Sequence, residues 1–343
     1  MGRMKDQCST RAMAQSGGWI VAATLGLSAL LVACGGSVTA VPPPGGDDPL
    51  LEARRAAAEA TAASASNDCA AIRPFYWEIG DAAGVLAAGS VRAPGDDTVY
   101  RADTVLGIAS ASKWLYGAYV MEARGGALSA DDVRYLTFRS GYTGFTLCLP
   151  TNTVQACAEL AGNDRYRPEH DGLFHYGGGH MQQHALQMGL GPLANRALAD
   201  ELRTRLGAEI ALGYSQPQLA GGVETSAAEY AKFLRKLLDG RLRLGAALGQ
   251  HAVCTNPATC AEAANAPTPA GESWHYAIGH WVEDDPVVGD GAFSSLGLFG
   301  FYPWIDRSRT WYGIVSRFAV PGAYDSLDCG RIIRRAWTTA TPQ

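Results

Sequence analysis

Apolar residues occur at two different spacings along the chain, and each spacing predicts a different kind of element. Helical spacing predicts helices over 51–65 and 110–124, and the second is followed by a Gly-Gly pair that is typical of a helix C-terminus. Short aromatic and β-branched runs over 73–80 and 84–91, separated by three residues that begin with Asp81, predict a β-hairpin. The first part of the folded chain therefore combines helices with strands.

Further along the chain, helical spacing gives way to strand spacing. Helical patterns, such as 226–239, dominate from 129 to about 249. After Gly271 the pattern predicts three strands and a closing helix, at 274–282, 292–304, 310–317 and 324–339. Strands at both chain ends with a helical block between them predict an α+β fold. We expect an antiparallel sheet that is completed by both chain ends and flanked by helices, with a mostly helical inserted subdomain.

The composition fits a globular protein and narrows the range of its partners. The chain has 343 residues, of which 47% are hydrophobic and 18% are charged, and its formal net charge is −5. That length allows one large or two modest domains with a sizeable core. Neither the low charged fraction nor the mild net charge indicates disorder or nucleic-acid binding. We therefore expect no nucleic-acid partner, and the oligomeric state stays open.

The N-terminal residues have the features of an export signal. Arg3, Lys5 and Arg11 precede an uncharged apolar run over 19–32, which is too short for an ordinary transmembrane helix and suits a signal peptide. The run ends in Leu-Val-Ala-Cys-Gly, which resembles a bacterial lipoprotein lipobox and implies cleavage before Cys34 and acylation of that cysteine. The alternative is a plain secretory signal with an incidental cysteine.

A Pro- and Gly-rich stretch without hydrophobic periodicity follows this signal and predicts a tether. The predicted segments are a signal peptide, the tether and a folded domain, at 1–33, 34–50 and 51–343. Within the folded domain, about 51–128 and 271–343 form the α/β part, and about 129–270 form the helical part. Gly35 stands where Asp would retain a lipoprotein at the inner membrane, which resembles sorting to the outer membrane. We therefore expect a lipid-anchored protein on the periplasmic side of the cell envelope.

Cysteines are numerous, and the export signal suggests why. Of the eight, Cys8 is lost with the signal and Cys34 is modified, so six remain in an oxidising compartment. Six cysteines allow fifteen connectivities. The spacing favours two short loops and leaves one pair that ties the domain ends together: Cys148–Cys157, Cys254–Cys260 and Cys69–Cys329. The six show no Cys-x-x-Cys spacing, so a zinc site built from thiolates is not predicted.

A serine and a lysine stand three residues apart at the start of a predicted helix, in Ser110-Ala111-Ser112-Lys113. This spacing places both side chains on one helix face. A serine hydroxyl needs a neighbouring base to become a nucleophile, and a lysine serves where burial and the helix N-terminus disfavour its charged form. The surrounding residues are apolar, and lysine occurs only four times in the chain. The alternative is a solvated lysine beside an N-cap serine.

The segment 108–120 resembles the active-site helix of the serine β-lactamase and penicillin-binding-protein superfamily, especially its class C and esterase-like branches. Two later segments, 133–142 and 219–238, are similar to segments that follow in the same order in those branches, so the resemblance spans roughly 75–320. It implies a β-lactamase/transpeptidase-like fold and an acyl-enzyme formed on Ser110. No metal or organic cofactor is implied.

The resemblance also assigns a second motif, Tyr-x-Asn, to the run that contains Tyr176. Tyr176 would exchange protons with Ser110 and the leaving group. Gly178 stands where the family has Asn, a residue that contacts the acyl side chain of β-lactams, so the substrate contact at this position is altered. The alternative for Tyr176 is an aromatic core residue before a Gly-rich turn.

The family's third motif, Lys-Thr-Gly or His-x-Gly, is matched by Ser295-Leu296-Gly297. Gly297 would let substrate approach the backbone, and the N–H groups of Ser110 and Leu298 would form the oxyanion hole. Ser295 stands where the family has a basic residue, so the site lacks the cation that holds a β-lactam or peptide carboxylate. Both departures favour an ester or a small amide over a β-lactam.

Other side-chain clusters suggest different chemistry less strongly. His180 and His184 have the four-residue spacing of zinc ligands, but Met181 stands where a metalloprotease has its Glu, so we predict structural histidines. Four aromatic residues of the C-terminal strands are predicted as core rather than as a carbohydrate or ester pocket: Trp274, Trp281, Tyr302 and Trp304.

These patterns together predict a periplasmic, lipid-anchored serine hydrolase. Its expected substrate is a small-molecule ester or amide, or a cell-wall-derived compound, cleaved with Ser110, Lys113 and Tyr176. Two alternatives stay open: a non-catalytic lipoprotein of the same fold that binds peptidoglycan or a partner, and a true β-lactamase.

Overall fold

Eight of the described strands form one large antiparallel sheet with helices on both sides. The computed structural model describes residues 48–343, so the predicted signal peptide, Cys34 and nearly all of the predicted tether lie outside the described residues. The described helices are α1 Pro49–Ala63, α2 Ser112–Ala123, α3 Ala130–Leu136, α4 Val154–Glu159, α5 Gly179–Gln187, α6 Asn195–Leu206, α7 Ala227–Leu238 and α8 Ala323–Thr339. None of these helices combines the length and the apolar character that a membrane crossing requires.

The strands belong to three sheets of different size. They are β1 Phe75–Asp81, β2 Val85–Val91, β3 Leu106–Gly107, β4 Phe174–His175, β5 Gly213–Tyr214, β6 Val223–Thr225, β7 Val253–Cys254, β8 Ala263–Asn265, β9 His275–Tyr276, β10 Trp281–Glu283, β11 Ala292–Ser294, β12 Tyr302–Ile305 and β13 Trp311–Ser316. The main sheet has the order β2-β1-β13-β12-β11-β10-β9-β7. β1, from the N-terminal part, pairs antiparallel with β13, from the C-terminal part, with Tyr76 opposite Ser316. The predicted α+β fold, with a sheet completed by both chain ends, is confirmed.

The alternation of side chains along β13 explains why helices cover both faces of the sheet. Trp311 packs against Trp337 of α8, with ring centroids 6.2 Å apart. The next residue, Tyr312, accepts a hydrogen bond from Arg235 of α7 at 3.0 Å. Because successive residues of a strand point to opposite faces, α7 and α8 lie on opposite sides of the sheet.

Two of the predicted strands are wrong in extent, because each is interrupted by a buried loop. The run 274–282 forms β9 and β10 with a tight turn at 277–280, and the run 292–304 forms β11 and β12 with a loop at 295–301. Buried residues continue through the first loop and through most of the second, where Leu298 is the exposed residue, so the apolar pattern does not reveal the interruptions. Gly279, with a φ of 73°, supplies the reversal in the first loop.

The predicted helical block also contains short strands. β5 and β6 form a small sheet with β3, β7 adds the last strand of the main sheet, and β4 pairs in parallel with β8. These strands have two or three residues each, which is too short for a detectable alternation. At the other end of the domain, α1 begins at Pro49, two residues before the predicted boundary, because the Asp48 side chain caps it by accepting from the Leu50 N–H.

Three disulfides connect the pairs predicted from the cysteine spacing. They are Cys69–Cys329, Cys148–Cys157 and Cys254–Cys260. The first joins residues 260 positions apart in sequence, whose Cα atoms are 4.6 Å apart. This bond links the segment after α1 to α8, and so connects the two ends of the folded domain.

Candidate active site

Helix α2 is buried on all sides, which places its N-terminus in the protein interior. Every residue of Ser112–Met121 is buried. Gly117 permits a close approach of the turn before β10, since a Cβ atom there would lie 2.6 Å from the carbonyl oxygen of Ile278. A helix without a polar face is stable only inside a protein. Lys113, in the first turn, is therefore carried into the interior with the rest of the helix.

Ser110 lies in a single 3₁₀ turn, Ala109–Ala111, directly before α2. Ala109 has a φ of 45°, in the left-handed region that non-glycine residues rarely adopt. The buried Ser112 holds this turn, because its hydroxyl donates to the Ala109 carbonyl at 2.7 Å and accepts from the Val223 N–H at 3.2 Å. These contacts fix the strained turn that presents Ser110.

Lys113 contacts Ser110 directly. Its Nζ lies 2.8 Å from Ser110 Oγ and 2.7 Å from the carbonyl oxygen of Ala220. The residue is only 5% exposed, and within residues 48–343 no carboxylate forms an ion pair with it. Burial lowers the pKa of Lys113 from its ordinary value of 10.5 to about 7. A substantial fraction of the amine is therefore neutral near pH 7 and able to accept a proton.

Tyr176 also lies beside Lys113 and is the third member of the candidate catalytic group. Its ring centre lies 4.9 Å from Lys113 Nζ, and its ring stacks on Trp281 with centroids 5.2 Å apart. Burial raises the pKa of Tyr176 to about 12, although hydrogen bonds with the side chains of Ser110 and Trp281 lower it. The phenol therefore keeps its proton at neutral pH and is suited to donate it.

The backbone around Tyr176 is held from two directions. Its N–H donates to the carbonyl of Asn265 at 3.0 Å, as part of the pairing between β4 and β8. The buried His180 holds the preceding residue: its Nε2 donates to the carbonyl of His175 at 2.9 Å, and its Nδ1 accepts from the hydroxyl of Ser140 at 2.7 Å. Burial lowers the pKa of His180 to about 3, so this ring stays neutral.

The loop 295–301 brings the backbone of Leu298 to the Ser110 turn. Gly297 makes this approach possible, because a Cβ atom there would lie 2.3 Å from the carbonyl oxygen of Ile108. In the described part of the chain, the N–H groups of Ser110 and Leu298 donate to no protein acceptor. Both residues line the same cavity, so their N–H groups are the candidates for an oxyanion hole.

Three residues predicted to bind substrate support the backbone instead of lining the cavity described next. The Ser295 hydroxyl donates to the carbonyl of Ser110 at 3.1 Å, and Gly297 packs against the turn before it. Gly178 caps the start of α5, where a Cβ atom would lie 3.0 Å from the Phe145 side chain. An Asn at this position would need the space that Phe145 occupies, which gives a packing reason for the glycine.

A cavity of about 220 Å³ opens at Ser110. It is lined by Ser110, Tyr176, Pro267, Trp281, Leu296, Leu298, Ala323 and Tyr324. No member of this lining carries a formal charge at neutral pH. A larger polar cavity of about 350 Å³, beside Arg54 and Arg334, shares no residue with it and contains none of the predicted catalytic groups. The arrangement at Ser110 can therefore hold a neutral carbonyl compound against a hydroxyl, an amine and a phenol.

The two histidines with zinc-like spacing lie in separate hydrogen-bond networks. His184 Nδ1 lies 2.8 Å from the hydroxyl of Tyr116, and its Nε2 lies 2.9 Å from the carboxylate of Asp132. His180 uses both ring nitrogens at Ser140 and His175, as described above. The one described cluster with metal-ligand spacing contains two cysteines that form a disulfide.

Several solved structures share this architecture. EstCE1, a hydrolase with promiscuous acyltransferase activity, superposes with a TM-score of 0.61 at 13% identity, over 84% of this chain and 99% of that one. D-amino acid amidase from Ochrobactrum anthropi SV3 superposes with a TM-score of 0.57 at 14% identity, over 85% and 99% of the two chains. A β-lactamase from Mycobacterium bovis gives a TM-score of 0.53 at 15% identity, over 79% and 96%. The chain has the β-lactamase and penicillin-binding-protein-like fold.

No protein-family model matches the chain, and no curated protein matches it either. At identities below 20%, the structural likeness of this β-lactamase-like chain establishes the fold, which agrees with the resemblance of its motifs.

Sequence reasoning missed several residues of the site. Pro267, Ala323 and Tyr324 line the cavity but belong to no motif, and Ala220 meets Lys113 through a backbone carbonyl that any residue supplies. All four aromatic residues predicted as core are buried, and Trp274, Tyr302 and Trp304 line no part of this cavity. Trp281 does line it, so its assignment to the core rather than to a pocket is wrong. Trp281 begins β10, after the turn at 277–280, and the prediction of one continuous strand over 274–282 did not include that turn.

Proposed function

We propose that this protein is a serine hydrolase that cleaves an ester or amide through an acyl-enzyme on Ser110. One observation carries the proposal: Lys113 Nζ lies 2.8 Å from Ser110 Oγ, and burial brings the pKa of this lysine to about 7. An exposed lysine at pH 7 is almost fully charged and cannot act as a base. A neutral buried amine within hydrogen-bond distance of a hydroxyl can take its proton.

The proposed reaction has two halves. In the first, Lys113 takes the Ser110 proton while Oγ attacks the carbonyl carbon, and the N–H groups of Ser110 and Leu298 stabilise the oxyanion. Tyr176 gives its proton to the leaving oxygen or nitrogen and recovers one from Lys113. In the second half, water loses a proton to the same groups and attacks the acyl carbon, so that the acid is released and the Ser110 hydroxyl is restored.

The lining of the cavity favours an uncharged substrate. Ser295 occupies the position of the family's basic residue, and its hydroxyl is bonded to the Ser110 carbonyl. A substrate carboxylate would therefore meet apolar walls and lose its hydration without a cation to replace it. This favours a neutral ester or amide, including a neutral fragment derived from the cell wall, over a β-lactam.

We also propose that the protein is a lipoprotein on the periplasmic side of the cell envelope, anchored through Cys34. The lipobox-like sequence supports this, and three disulfides suit an oxidising compartment. Cys34→Ala should move the protein from the detergent-extracted membrane fraction to the soluble periplasmic fraction. An equal membrane fraction for both forms would contradict the lipid anchor.

The experiment that tests the activity is labelling with a fluorophosphonate, which reacts with activated serines. We expect stoichiometric labelling of the wild type and none of Ser110→Ala. Ser295→Ala is the matched control, because it removes a hydroxyl close to Ser110 and should still be labelled. A folded wild type that stays unlabelled would favour the alternative, a non-catalytic binding protein. Nitrocefin, tested beside short p-nitrophenyl esters, separates a β-lactamase from an esterase.

A further inference from the structure

A second, smaller cavity of about 90 Å³ adjoins the one that contains Ser110. It is lined by Leu298, Pro321, Gly322, Ala323, Tyr324 and Asp325. Leu298, Ala323 and Tyr324 belong to the lining of both cavities. The two cavities are therefore neighbours that share one wall, and the second is within reach of a substrate bound at Ser110.

The second cavity lies in an apolar surface. Leu298 is 51% exposed and Val320 is 63% exposed, and the nearby Phe318 and Tyr324 also expose much of their rings. The charge in its lining is that of Asp325, whose carboxylate lies 3.4 Å from the guanidinium of Arg317. Clustered apolar side chains that remain exposed in a folded protein commonly mark a binding site.

This surface is held in a defined shape. The Gly322 N–H donates to the carbonyl of Leu298 at 2.9 Å, and the Ala319 N–H donates to the carbonyl of Phe299 at 2.9 Å. The Tyr324 hydroxyl donates to the carbonyl of Pro267 at 3.0 Å, which joins the start of α8 to the loop after β8. A preformed apolar cavity binds an alkyl chain without first ordering a loop.

We propose that this second cavity is a subsite for the hydrocarbon chain of the substrate. The preferred substrate is then an uncharged ester or amide whose reacting carbonyl lies at Ser110 and whose alkyl or aryl chain extends over Leu298 and Ala323. The proposal rests on the proposed function, since Ser110 defines where the carbonyl lies. It adds a substrate class to that function and assigns a role to the start of α8.

Two ester series test this subsite, because the acyl and alcohol parts of an ester leave the carbonyl in opposite directions. One series is p-nitrophenyl acetate, butyrate, hexanoate and octanoate, and the other is methyl, butyl, hexyl and octyl acetate. We expect kcat/KM to increase at least tenfold along one series, which is the effect of burying about two methylene groups. Flat profiles in both series, with acetate esters still hydrolysed, would overturn the subsite and leave the hydrolase intact.

A charged variant connects the chain-length effect to the wall that the two cavities share. Ala323 is the first residue of α8, where an acidic side chain is compatible with the helix, so Ala323→Asp should fold. We expect its octanoate-to-acetate (or octyl-to-methyl) ratio of kcat/KM to fall at least tenfold below the wild-type ratio.

Val287→Asp is the matched control, because Val287 is an apolar residue, 87% exposed, that lines neither cavity. It should keep the wild-type ratio. A ratio that Ala323→Asp leaves unchanged would place the chain elsewhere and overturn the subsite. If no ester is hydrolysed and Ser110 is not labelled by the fluorophosphonate, the hydrolase and the subsite fail together.

Discussion

Lys113 and Glu283 are both buried, but only Glu283 has partners of opposite charge. Its carboxylate accepts hydrogen bonds from Arg334 at 2.8 Å, from Arg331 at 3.3 Å and from Tyr302 at 2.6 Å. Burial by itself raises the pKa of this carboxyl, but the two arginines outweigh it and the pKa is lowered. Lys113 has neutral oxygens as partners, and burial lowers its pKa to about 7.

The comparison distinguishes a buried charge that stabilises the fold, Glu283, from a buried amine that can take part in catalysis, Lys113. A compensated charge such as Glu283 keeps one protonation state over the whole neutral range and contributes to the packing of α8 on the sheet. An uncompensated amine such as Lys113 changes protonation state near pH 7, and its burial costs free energy that the fold must supply elsewhere. Substitutions at the two positions should therefore have opposite signatures.

The largest effect is expected for Lys113→Met, which keeps a long side chain and removes the amine. We expect kcat/KM for p-nitrophenyl acetate to fall about 10³-fold, because Ser110 loses its base. The free energy of unfolding should be unchanged or higher, because a buried amine without a counter-charge is removed. Urea unfolding and steady-state kinetics measure the two quantities. Activity within tenfold of the wild type would show that Lys113 is not the base.

Glu283→Gln should have the reverse signature. Arg334 and Arg331 would keep Asp290 and Glu272 as partners but would lose the fully buried carboxylate, so the free energy of unfolding should fall by roughly 3 kcal/mol. The activity of the folded fraction should stay near the wild-type value. The matched control is Glu209→Gln, because Glu209 is an exposed carboxylate 2.9 Å from Lys236, and it should cost less than about 1 kcal/mol. Equal stability losses at the two positions would show that the buried carboxylate contributes no more to the fold than the exposed one.

Tyr176→Phe sharpens the assignment of roles within the active site. We expect kcat for methyl esters to fall about 10²-fold, because an alkoxide leaving group needs the phenol proton. The loss should be several-fold smaller for p-nitrophenyl esters, whose leaving group departs without protonation. Thermal unfolding of the variant provides the check on structure. Equal losses with both kinds of ester would assign Tyr176 a structural role.

The last prediction is the pH dependence that follows from Lys113. Activity should rise with pH and level off above about pH 7, as the amine loses its proton. Between pH 7 and the ordinary lysine value of 10.5, the unfolded chain binds this proton and the folded chain does not, so this group makes stability increase with pH there. Lys113→Met should lack that increase in urea titrations. A pH profile centred below pH 6 would contradict the assignment.

The contacts that could be predicted from the sequence are local in the chain or carried by a motif. Ser110 and Lys113 are three residues apart in one helix, so their spacing alone brings them together. The role of Tyr176 could be predicted only from the resemblance to a family, because no residue near it in sequence indicates a contact with Ser110. The pairing of Cys69 with Cys329 followed once the two short loops were paired, and it matches a sheet that joins the chain ends.

The parts that could not be predicted depend on distant backbone and on buried loops. The loop 295–301 reads as a strand because Leu296 and Phe301 are buried like strand residues. The carbonyl of Ala220 reaches Lys113 from 107 residues away, and no side chain marks it. Tyr324 lies at the start of a helix that was predicted, but its position over the cavity depends on the path of the whole C-terminal segment.

The pairing of β1 with β13 also bears on how the protein is made. The main sheet joins a strand that begins at Phe75 to one that ends at Ser316, so it cannot be completed until nearly the whole described chain has been synthesised. Contacts between such distant segments form slowly, because a long loop must close first. The same feature makes the protein sensitive to C-terminal truncation, since the final strand is an inner strand that pairs with both β1 and β12.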